Sequence, residues 1–312
     1  MKPKLMIPML MAAAVFGAAP IAQSATPEAA VVQQNYSSPE EVAAALATAA
    51  RAGDRPMILK LMGADSASWL SSGDATADRE DWKRFLDAYE RKHTITPTSD
   101  DHAVLLIGDD AWPFPAPLVR QGSAWRFDAV AGREEVLRRR IGRNELDAMQ
   151  TLLAVVDAQR EYASGDLDGN GFYDYARRFI STAGKRDGLY WPVSANEPPS
   201  PLGPLVGAAS VDAQKQGAGN AGAGVYHGYR YRLLEAQGKA ARGGAYDYRV
   251  GGKLIGGFAV VAYPAKHGNS GVSTFMVSHD GVLYEKNLGS NTESIVLRMQ
   301  RFNPNPTWKK VR

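Results

Sequence analysis

Apolar positions recur with the period of a helix in the first part of the chain and alternate with polar positions after it. Residues 38–41, Ser-Pro-Glu-Glu, are typical of a helix start, and an apolar stripe follows them up to Gly53. A shorter helix is predicted at residues 54–62 and a third at residues 78–92. The third places its large apolar side chains at i, i+3, i+4 and i+7: Trp82, Phe85, Leu86 and Tyr89. This stripe is typical of ordinary core, and the alternative is that it lines a ligand cavity.

The pattern changes to alternation after His93. Strands are predicted at residues 103–107, 113–119 and 124–127, with a hairpin turn at residues 121–123. Three helices followed by an antiparallel sheet resemble the cone-shaped α+β domains of the nuclear transport factor 2-like fold. That likeness concerns the fold only and selects no function.

A long amphipathic helix and a second set of strands follow. We expect Gly142 to break or kink the helix that starts near Ala131, and Asn144 to restart it with a wide apolar stripe down to Gly165. A short helix is predicted at residues 175–180 and a final one at residues 292–299. Strands are predicted at residues 229–234, 246–250, 253–263, 272–277 and 282–287. The predicted fold class is therefore α+β, with an N-terminal domain at residues 38–142 and a C-terminal domain at residues 143–312.

The first residues predict export. Lys2 and Lys4 precede an apolar run at residues 5–19 and a set of small residues, the layout of a signal peptide at residues 1–25 that is cleaved after Ser24 or Ala25. A retained anchor is the alternative. We expect a disordered leader at residues 26–37 and a periplasmic or secreted protein without a stable membrane span. The chain has no Cys, which excludes disulfides and thiolate metal sites.

The charge balance argues against nucleic acid as a partner. With Lys2 and Lys4 removed, 34 Lys and Arg residues face 33 Asp and Glu residues, which leaves a net charge of +1. Proteins that bind nucleic acid instead concentrate positive charge on one face. The basic cluster that does occur contains Arg138, Arg139, Arg140 and Arg143. Because Glu134, Glu135 and Glu145 lie on the same helix, we interpret it as a solvated, salt-bridged face.

An acidic, glycine-bearing loop at residues 166–174 is the strongest candidate site. Its oxygen-bearing residues have the alternation of an EF-hand-like loop, with a backbone oxygen at the seventh position: Asp166, Asp168, Asn170, Phe172 and Asp174. The spacing predicts a structural Ca²⁺ site. Arg177 stands at the twelfth position, where a bidentate Glu is usual, so affinity would be weak. The alternative is that these residues only cap one helix and start the next.

Aromatic residues among prolines and glycines form a second candidate. Tyr190, Trp191, Tyr226 and Tyr229 would suit an aromatic binding surface for a peptide or sugar, such as an envelope protein or glycan. The alternative, which we favour, is that these rings pack long irregular loops onto the sheet. A glycine-rich mobile loop is predicted at residues 216–224.

Other chemistry-bearing residues give weaker signals. The five histidines lack the spacing of a zinc site, and Ser270 lacks the spacing of a nucleophile elbow. A hydrolase would need a carboxylate such as Asp187 or Glu285 near His279 in a cleft between the domains.

A set of sequence phrases gives a family resemblance. The phrases GRNELDAMQ, GKRDGLYWP, YHGYRYRLL, GGFAVVAYPAKHGNSGVSTFMVSHDGVLYEKNLG and MQRFNPNPTWKKV resemble the exported bacterial family catalogued as domain of unknown function 2950. The resemblance implies a secreted or envelope protein and brings no catalytic residues. The second half is also loosely similar to the globular parts of type IV pilins and pseudopilins, although a whole domain here replaces their long apolar N-terminal helix.

These observations lead to one leading hypothesis and two alternatives. The leading hypothesis is a non-enzymatic, exported binding or scaffolding module with a structural Ca²⁺ in the acidic loop. The alternatives are an envelope hydrolase acting on a glycan or peptide, and a minor pilin-like assembly subunit.

Overall fold

A computed structural model describes residues 33–63, 66–71, 75–194, 196–203 and 225–311. The predicted signal peptide and the predicted mobile loop at residues 216–224 lie outside these ranges. Residues 33–37 of the predicted leader are described and are bound to the rest of the chain. The side chain of Gln33 donates hydrogen bonds to the backbone oxygens of Leu61 and Phe127 at 2.9 and 2.7 Å, and Tyr36 forms a β-bridge with Trp125.

Four helices open the described chain: α1 (Pro39–Ala52), α2 (Arg55–Met62), α3 (Ala67–Leu70) and α4 (Ala75–Arg91). The hydroxyl of Ser38 accepts a hydrogen bond from the backbone N–H of Glu41, and the carboxylate of Asp54 accepts one from Met57. These side-chain caps satisfy backbone donors that have no partner within the helix. The three predicted helices are confirmed as α1, α2 and α4.

An antiparallel sheet follows: β1 (His93–Pro97), β2 (His102–Ile107), β3 (Trp112–Pro113), β4 (Leu118–Gln121) and β5 (Ala124–Phe127). The order is β1-β2-β4-β5, with β3 also paired to β2. The prediction of one strand at residues 113–119 is wrong. Pro113, Pro115 and Pro117 lack a backbone N–H to donate to a ladder, so the segment divides into β3 and β4. The helices pack on this sheet around a core that includes Leu46, Leu105 and Phe127.

One continuous helix, α5 (Ala129–Tyr162), joins the two halves of the chain. Asp128 caps its start by accepting hydrogen bonds from the backbone N–H groups of Val130 and Ala131. The prediction that Gly142 breaks this helix and that Asn144 restarts it is wrong. Glycine inside a helix costs about 1 kcal/mol relative to alanine, and packing on both sides of the glycine offsets that cost. Gly142 itself is exposed.

The second antiparallel sheet has the order β14-β13-β12-β11-β6. Its strands are β6 (Tyr229–Leu234), β11 (Ala259–Pro264), β12 (Ser273–Ser278), β13 (Tyr284–Asn287) and β14 (Lys309–Lys310). Two short ribbons lie beside it, β7 (Ala236–Gln237) with β8 (Tyr246–Asp247), and β9 (Arg249–Val250) with β10 (Lys253–Leu254). A final helix, α6 (Thr292–Arg298), confirms the predicted one. α5 packs on β11 and β12 through buried residues that include Leu152, Val155 and Val156.

Residues 175–180 are irregular rather than helical, which corrects the prediction for this segment. Both oxygen and nitrogen of the Gln159 side-chain amide bind the backbone of Ala176, at 2.8 and 2.9 Å. Tyr175 donates its backbone N–H to Leu254 at 3.0 Å, and Tyr190 donates its own to Phe179 at 2.9 Å. The backbone groups that would have formed a helical turn are therefore satisfied by tertiary partners.

The α+β class, with helices on a first sheet and a long helix on a second one, is confirmed. Separate hydrophobic clusters lie under the two sheets. The division into two domains near Gly142 stays a prediction, as does the likeness to pilins. Within the described ranges, no helix is both long and apolar enough to cross a membrane.

Candidate functional site

The acidic loop at residues 166–174 folds around its own polar side chains. The carboxylate of Asp166 accepts the backbone N–H groups of Asn170 and Gly171 at 2.8 and 2.9 Å. Asp168 accepts the N–H of Asn170 at 3.2 Å, and the amide of Asn170 donates to Asp174 at 2.9 Å. Hydrogen bonds within the loop therefore connect the four predicted side-chain ligands to one another or to its backbone.

A lysine already binds the centre of this loop. Lys253, at the start of β10, donates from Nζ to the backbone oxygen of Asn170 at 2.8 Å and to its Oδ1 at 3.0 Å. The same ammonium lies 3.4 Å from the centre of the Phe172 ring, a cation–π contact. A positive charge thus contacts one of the oxygens that the calcium prediction assigns to the metal.

The arrangement of histidines and carboxylates among the described residues gives no further support to a metal site. Within the described residues, no group of three or more His, Asp or Glu side chains converges to hold a metal ion. The calcium site rests on the alternation in the sequence and stays a prediction.

A polar cleft of about 760 Å³ lies between the acidic loop and residues 184–187. Tyr162, at the end of α5, lines the cleft and donates its hydroxyl to the backbone oxygen of Arg186 at 2.6 Å. Burial raises the pKa of Tyr162 well above its ordinary value, and nearby carboxylates, of which Asp168 contributes most, raise it further. The cleft is lined by cations as well: Arg177, Arg178, Lys185 and Arg186.

Asp187, the acid proposed for a hydrolase, lines the same cleft as a bound carboxylate. It accepts hydrogen bonds from the backbone N–H and the hydroxyl of Thr182 at 2.7 and 2.8 Å. Burial opposes its ionisation, but these hydrogen bonds and the guanidinium of Arg178 outweigh burial and lower the pKa of Asp187. A lowered pKa suits a permanently charged group rather than a general acid.

The other proposed hydrolase residues, Glu285 and His279, are not among the residues that line this cleft. Glu285 is on β13 and pairs with Lys309 at 3.4 Å. His279 packs edge-on against the ring of Tyr248, with its Nε2 3.8 Å from a carboxylate oxygen of Asp280. No hydrogen bond or ion pair among the described residues links either carboxylate, Asp187 or Glu285, to His279.

Two of the four residues predicted to form an aromatic surface are core residues. Tyr229 is fully buried and Trp191 is 8% exposed, and both belong to the cluster under the second sheet. Tyr190 and Tyr226 are partly buried and pack against the same cluster. The alternative interpretation, that these rings fasten irregular segments onto the sheet, agrees with this placement. A glycan or envelope-protein partner stays a prediction.

A second concavity, which we call the α4–α5 groove, lies between α4, α5 and the first sheet. Its volume is about 520 Å³, within the size range of small-molecule sites, about 300–1,000 Å³. The apolar walls come from α4, the sheet and α5: Trp82, Phe85, Ala88, Ile107, Phe114 and Val136. Phe85 contacts both Trp82 and Phe114, with ring centroids 5.9 and 5.3 Å apart.

Arginines and one exposed tryptophan line the α4–α5 groove beside these apolar walls. Trp112 is 48% exposed, and the guanidinium of Arg139 lies 4.3 Å from the centre of its ring. Arg143 donates two hydrogen bonds to the carboxylate of Asp81, at 3.2 and 3.0 Å, and Arg84 pairs with the same carboxylate. The groove therefore combines apolar walls with charged groups, as ligand sites do.

Arg140 corrects the interpretation of the basic cluster as a solvated face. It lines the groove but is only 7% exposed, and it donates to the backbone oxygens of Trp69 and Leu70 and to Oδ1 of Asn269, at 2.8, 3.3 and 3.0 Å. Arg138 and Arg139 do pair with Glu135, as the sequence predicted.

The sequence contained two signals for the groove. One was the stripe with Trp82 and Phe85, for which a cavity was the alternative reading, and the other was the run of arginines on α5. Neither showed that α4, α5 and the turn after β2 meet around one space, because those segments are far apart in the chain.

A family model described as "Protein of unknown function (DUF2950)" matches residues 33–311. A comparison with curated proteins finds no match, and a comparison with solved structures finds none either. The matched range covers nearly the whole chain and every site described above. The chain therefore belongs to the DUF2950 family.

Proposed function

We propose that this protein is an exported, non-enzymatic binding protein whose ligand occupies the α4–α5 groove. The observation that carries the proposal is a groove of about 520 Å³ with aromatic and aliphatic walls and arginines at its edge. Apolar walls allow a ligand to be desolvated, and a few fixed polar groups orient it. Export is proposed from the signal-peptide pattern of residues 1–25.

The groove is a better ligand site than the acidic-loop cleft. In the cleft, the carboxylates of Asp166 and Asp187 already accept two hydrogen bonds each from the chain itself. A ligand there would compete with those bonds and gain little apolar contact. In the groove, Trp82, Ala88 and Val136 are only partly buried, so they leave apolar surface for a ligand to contact.

The carboxyl groups whose pKa values are shifted give no support to the alternative of an envelope hydrolase. Hydrogen bonds to Glu41 and Asp101 lower the pKa of each, to about 2 for Asp101, and Asp187 is lowered as described above. A carboxyl group that acts as a general acid near neutral pH needs a raised pKa instead. None of these three carboxyl groups therefore has the raised pKa that a general acid in a hydrolase would need.

The proposal is tested by filling the groove from both walls. The uncharged fluorescent probe N-phenyl-1-naphthylamine should bind the mature protein saturably, with one probe per chain. Ala88→Phe on α4 and Val136→Phe on α5 each add a ring to a groove-lining position, and each should weaken probe binding by about tenfold or more, equivalent to about 1.4 kcal/mol.

Lys83→Phe is the matched control, because its side chain is 74% exposed on the same helix as Ala88. This variant should bind the probe as the wild type does. Circular dichroism and thermal melts confirm that each variant is folded. Saturable binding that survives both filling substitutions in folded protein would place the probe elsewhere and overturn the proposal.

A further inference from the structure

The inner wall of the α4–α5 groove contains a buried cation, Arg140, that forms no ion pair with any of the described residues. Arg140 is 7% exposed, and it donates hydrogen bonds to three neutral oxygens among the described residues, those of Trp69, Leu70 and Asn269. None of the ion pairs among the described residues includes it. Since a guanidinium has five N–H donors, two of them have no acceptor among the described residues.

Burying such a charge is costly unless an anion or several hydrogen bonds compensate it. Burial lowers the pKa of Arg140, and the carboxylates of Asp78 and Asp81 act in the opposite direction. Arginine nevertheless stays protonated at neutral pH, so the groove wall retains its positive charge.

Two of the acids that line the groove, Asp78 and Asp81, bind other side chains. Asp81 is shared by Arg143 and Arg84, so one carboxylate faces two guanidinium groups. Asp78 accepts a hydrogen bond from the hydroxyl of Ser71 at 2.9 Å. Asp109 and Asp110 are exposed on the turn after β2, and Arg91 also lines the groove.

We propose that the ligand of the α4–α5 groove is an apolar carboxylic acid, with its tail against Phe85, Phe114 and Val136 and its carboxylate at Arg140. This inference rests on the proposed function, because it assigns a chemical class to the ligand of the same groove. A carboxylate accepts the donors of a guanidinium in charge-assisted hydrogen bonds, which are stronger than bonds between neutral groups. The aromatic walls hold the uncharged part of the molecule.

The test compares three ligands that have ten carbon atoms each and different head groups. Decanoate, decanol and decylammonium compete with bound N-phenyl-1-naphthylamine on the wild-type protein at constant ionic strength. Decanoate should displace the probe at a concentration about tenfold lower than decanol, a ratio within the range of one charge-assisted hydrogen bond, and decylammonium should be weakest. Equal displacement by decanoate and decanol, or strongest displacement by decylammonium, would overturn the carboxylate assignment while leaving the groove as an apolar site.

The variant Arg140→Gln then tests whether Arg140 binds the carboxylate of the ligand. Glutamine keeps two amide donors for the neighbouring oxygens but removes the charge, so the preference for decanoate over decanol should disappear. Arg138→Gln is the control, because Arg138 lies on the same helix with its side chain 72% exposed and paired with Glu135. A preference that persists in folded Arg140→Gln assigns the carboxylate to another residue and overturns this role. If Arg140→Gln does not fold, the head-group series on the wild type decides alone.

Failure of this inference and failure of the proposed function give different results. Without saturable, groove-dependent probe binding, the proposed function fails first. With that binding intact, only the order of the three head groups decides the carboxylate assignment.

Discussion

Asn144 and Arg140 lie one turn apart on α5, and both bind the loop at residues 266–273. Asn144 donates from Nδ2 to the backbone oxygen of Ser270 at 2.9 Å, and Arg140 donates to Asn269. A Cβ atom on Gly228, which has a φ of +72°, would clash with the amide of Asn144. A glycine is therefore required there both by its backbone conformation and by the close approach of Asn144.

Asn144→Ala should destabilise the protein by about 1–3 kcal/mol, because it leaves the buried oxygen of Ser270 without its donor. Urea unfolding of the mature protein measures this change as a lower midpoint at an unchanged slope. Gln150→Ala, at an exposed position of the same helix, is the control and should leave the midpoint unchanged. An Asn144→Ala midpoint equal to that of the wild type would show that this contact does not stabilise the loop.

At the scale of elements, Lys253 fastens the β9–β10 ribbon to the acidic loop. Its ammonium contacts Asn170 and Phe172, and Arg177 donates to the backbone oxygen of Gly252 at 2.9 Å. A Ca²⁺ ion that used Oδ1 of Asn170 would have to displace this ammonium. If Ca²⁺ binds this loop, it therefore competes with the ammonium of Lys253 for the oxygens of Asn170.

Lys253→Met should therefore bind Ca²⁺ more tightly than the wild type, by about tenfold or more, since removing a unit charge a few ångströms away removes a direct repulsion. Isothermal titration of both proteins with Ca²⁺ up to millimolar concentration measures the difference, a range typical of weak extracellular sites. Lys185→Met is the control, because Lys185 lines the cleft and its side chain forms no hydrogen bond or ion pair with the loop among the described residues. Absence of Ca²⁺ heat in all three proteins would refute the calcium prediction.

The helices and strands that were predicted correctly are those whose pattern of apolar residues lies within one continuous segment. The stripe of Trp82, Phe85 and Tyr89 and the alternation in β2 need no knowledge of the rest of the chain. The segment at residues 175–180 was predicted wrongly because the side chain of Gln159, on another element, binds the backbone of Ala176. Of the candidate sites, the acidic loop is contiguous in sequence and was found, whereas the groove depends on elements that meet only after folding.

At the scale of the whole molecule, α5 connects the two halves of the fold. Its first turns carry Arg140 to the groove, and its last turn carries Tyr162 to the acidic-loop cleft. The loop at residues 266–273 returns from the second sheet to α5 and to α3, where the amide of Asn269 donates to the backbone oxygen of Ser68 at 3.0 Å. The two halves are therefore connected by both one helix and one loop, and a chain with this connection should unfold in a single transition.

The N-terminal residue of the mature protein tests the proposal that the chain is exported. Lys2 and Lys4 followed by the apolar run at residues 5–19 should direct the chain across the inner membrane of a bacterial host, with cleavage after Ser24 or Ala25. Intact-mass measurement of protein recovered from the periplasm or medium should match one of those two termini.

Cleavage there leaves Gln33 in the mature chain, where its side chain donates hydrogen bonds to the backbone oxygens of Leu61 and Phe127. Leu10→Arg is the matched variant, because a charge in the apolar run should block export and leave the uncleaved chain in the cell. Full-length mass in the wild-type protein would instead support a retained anchor. A terminus beyond Gln33 would also contradict the prediction, because it would remove hydrogen bonds that join the leader to α2 and β5.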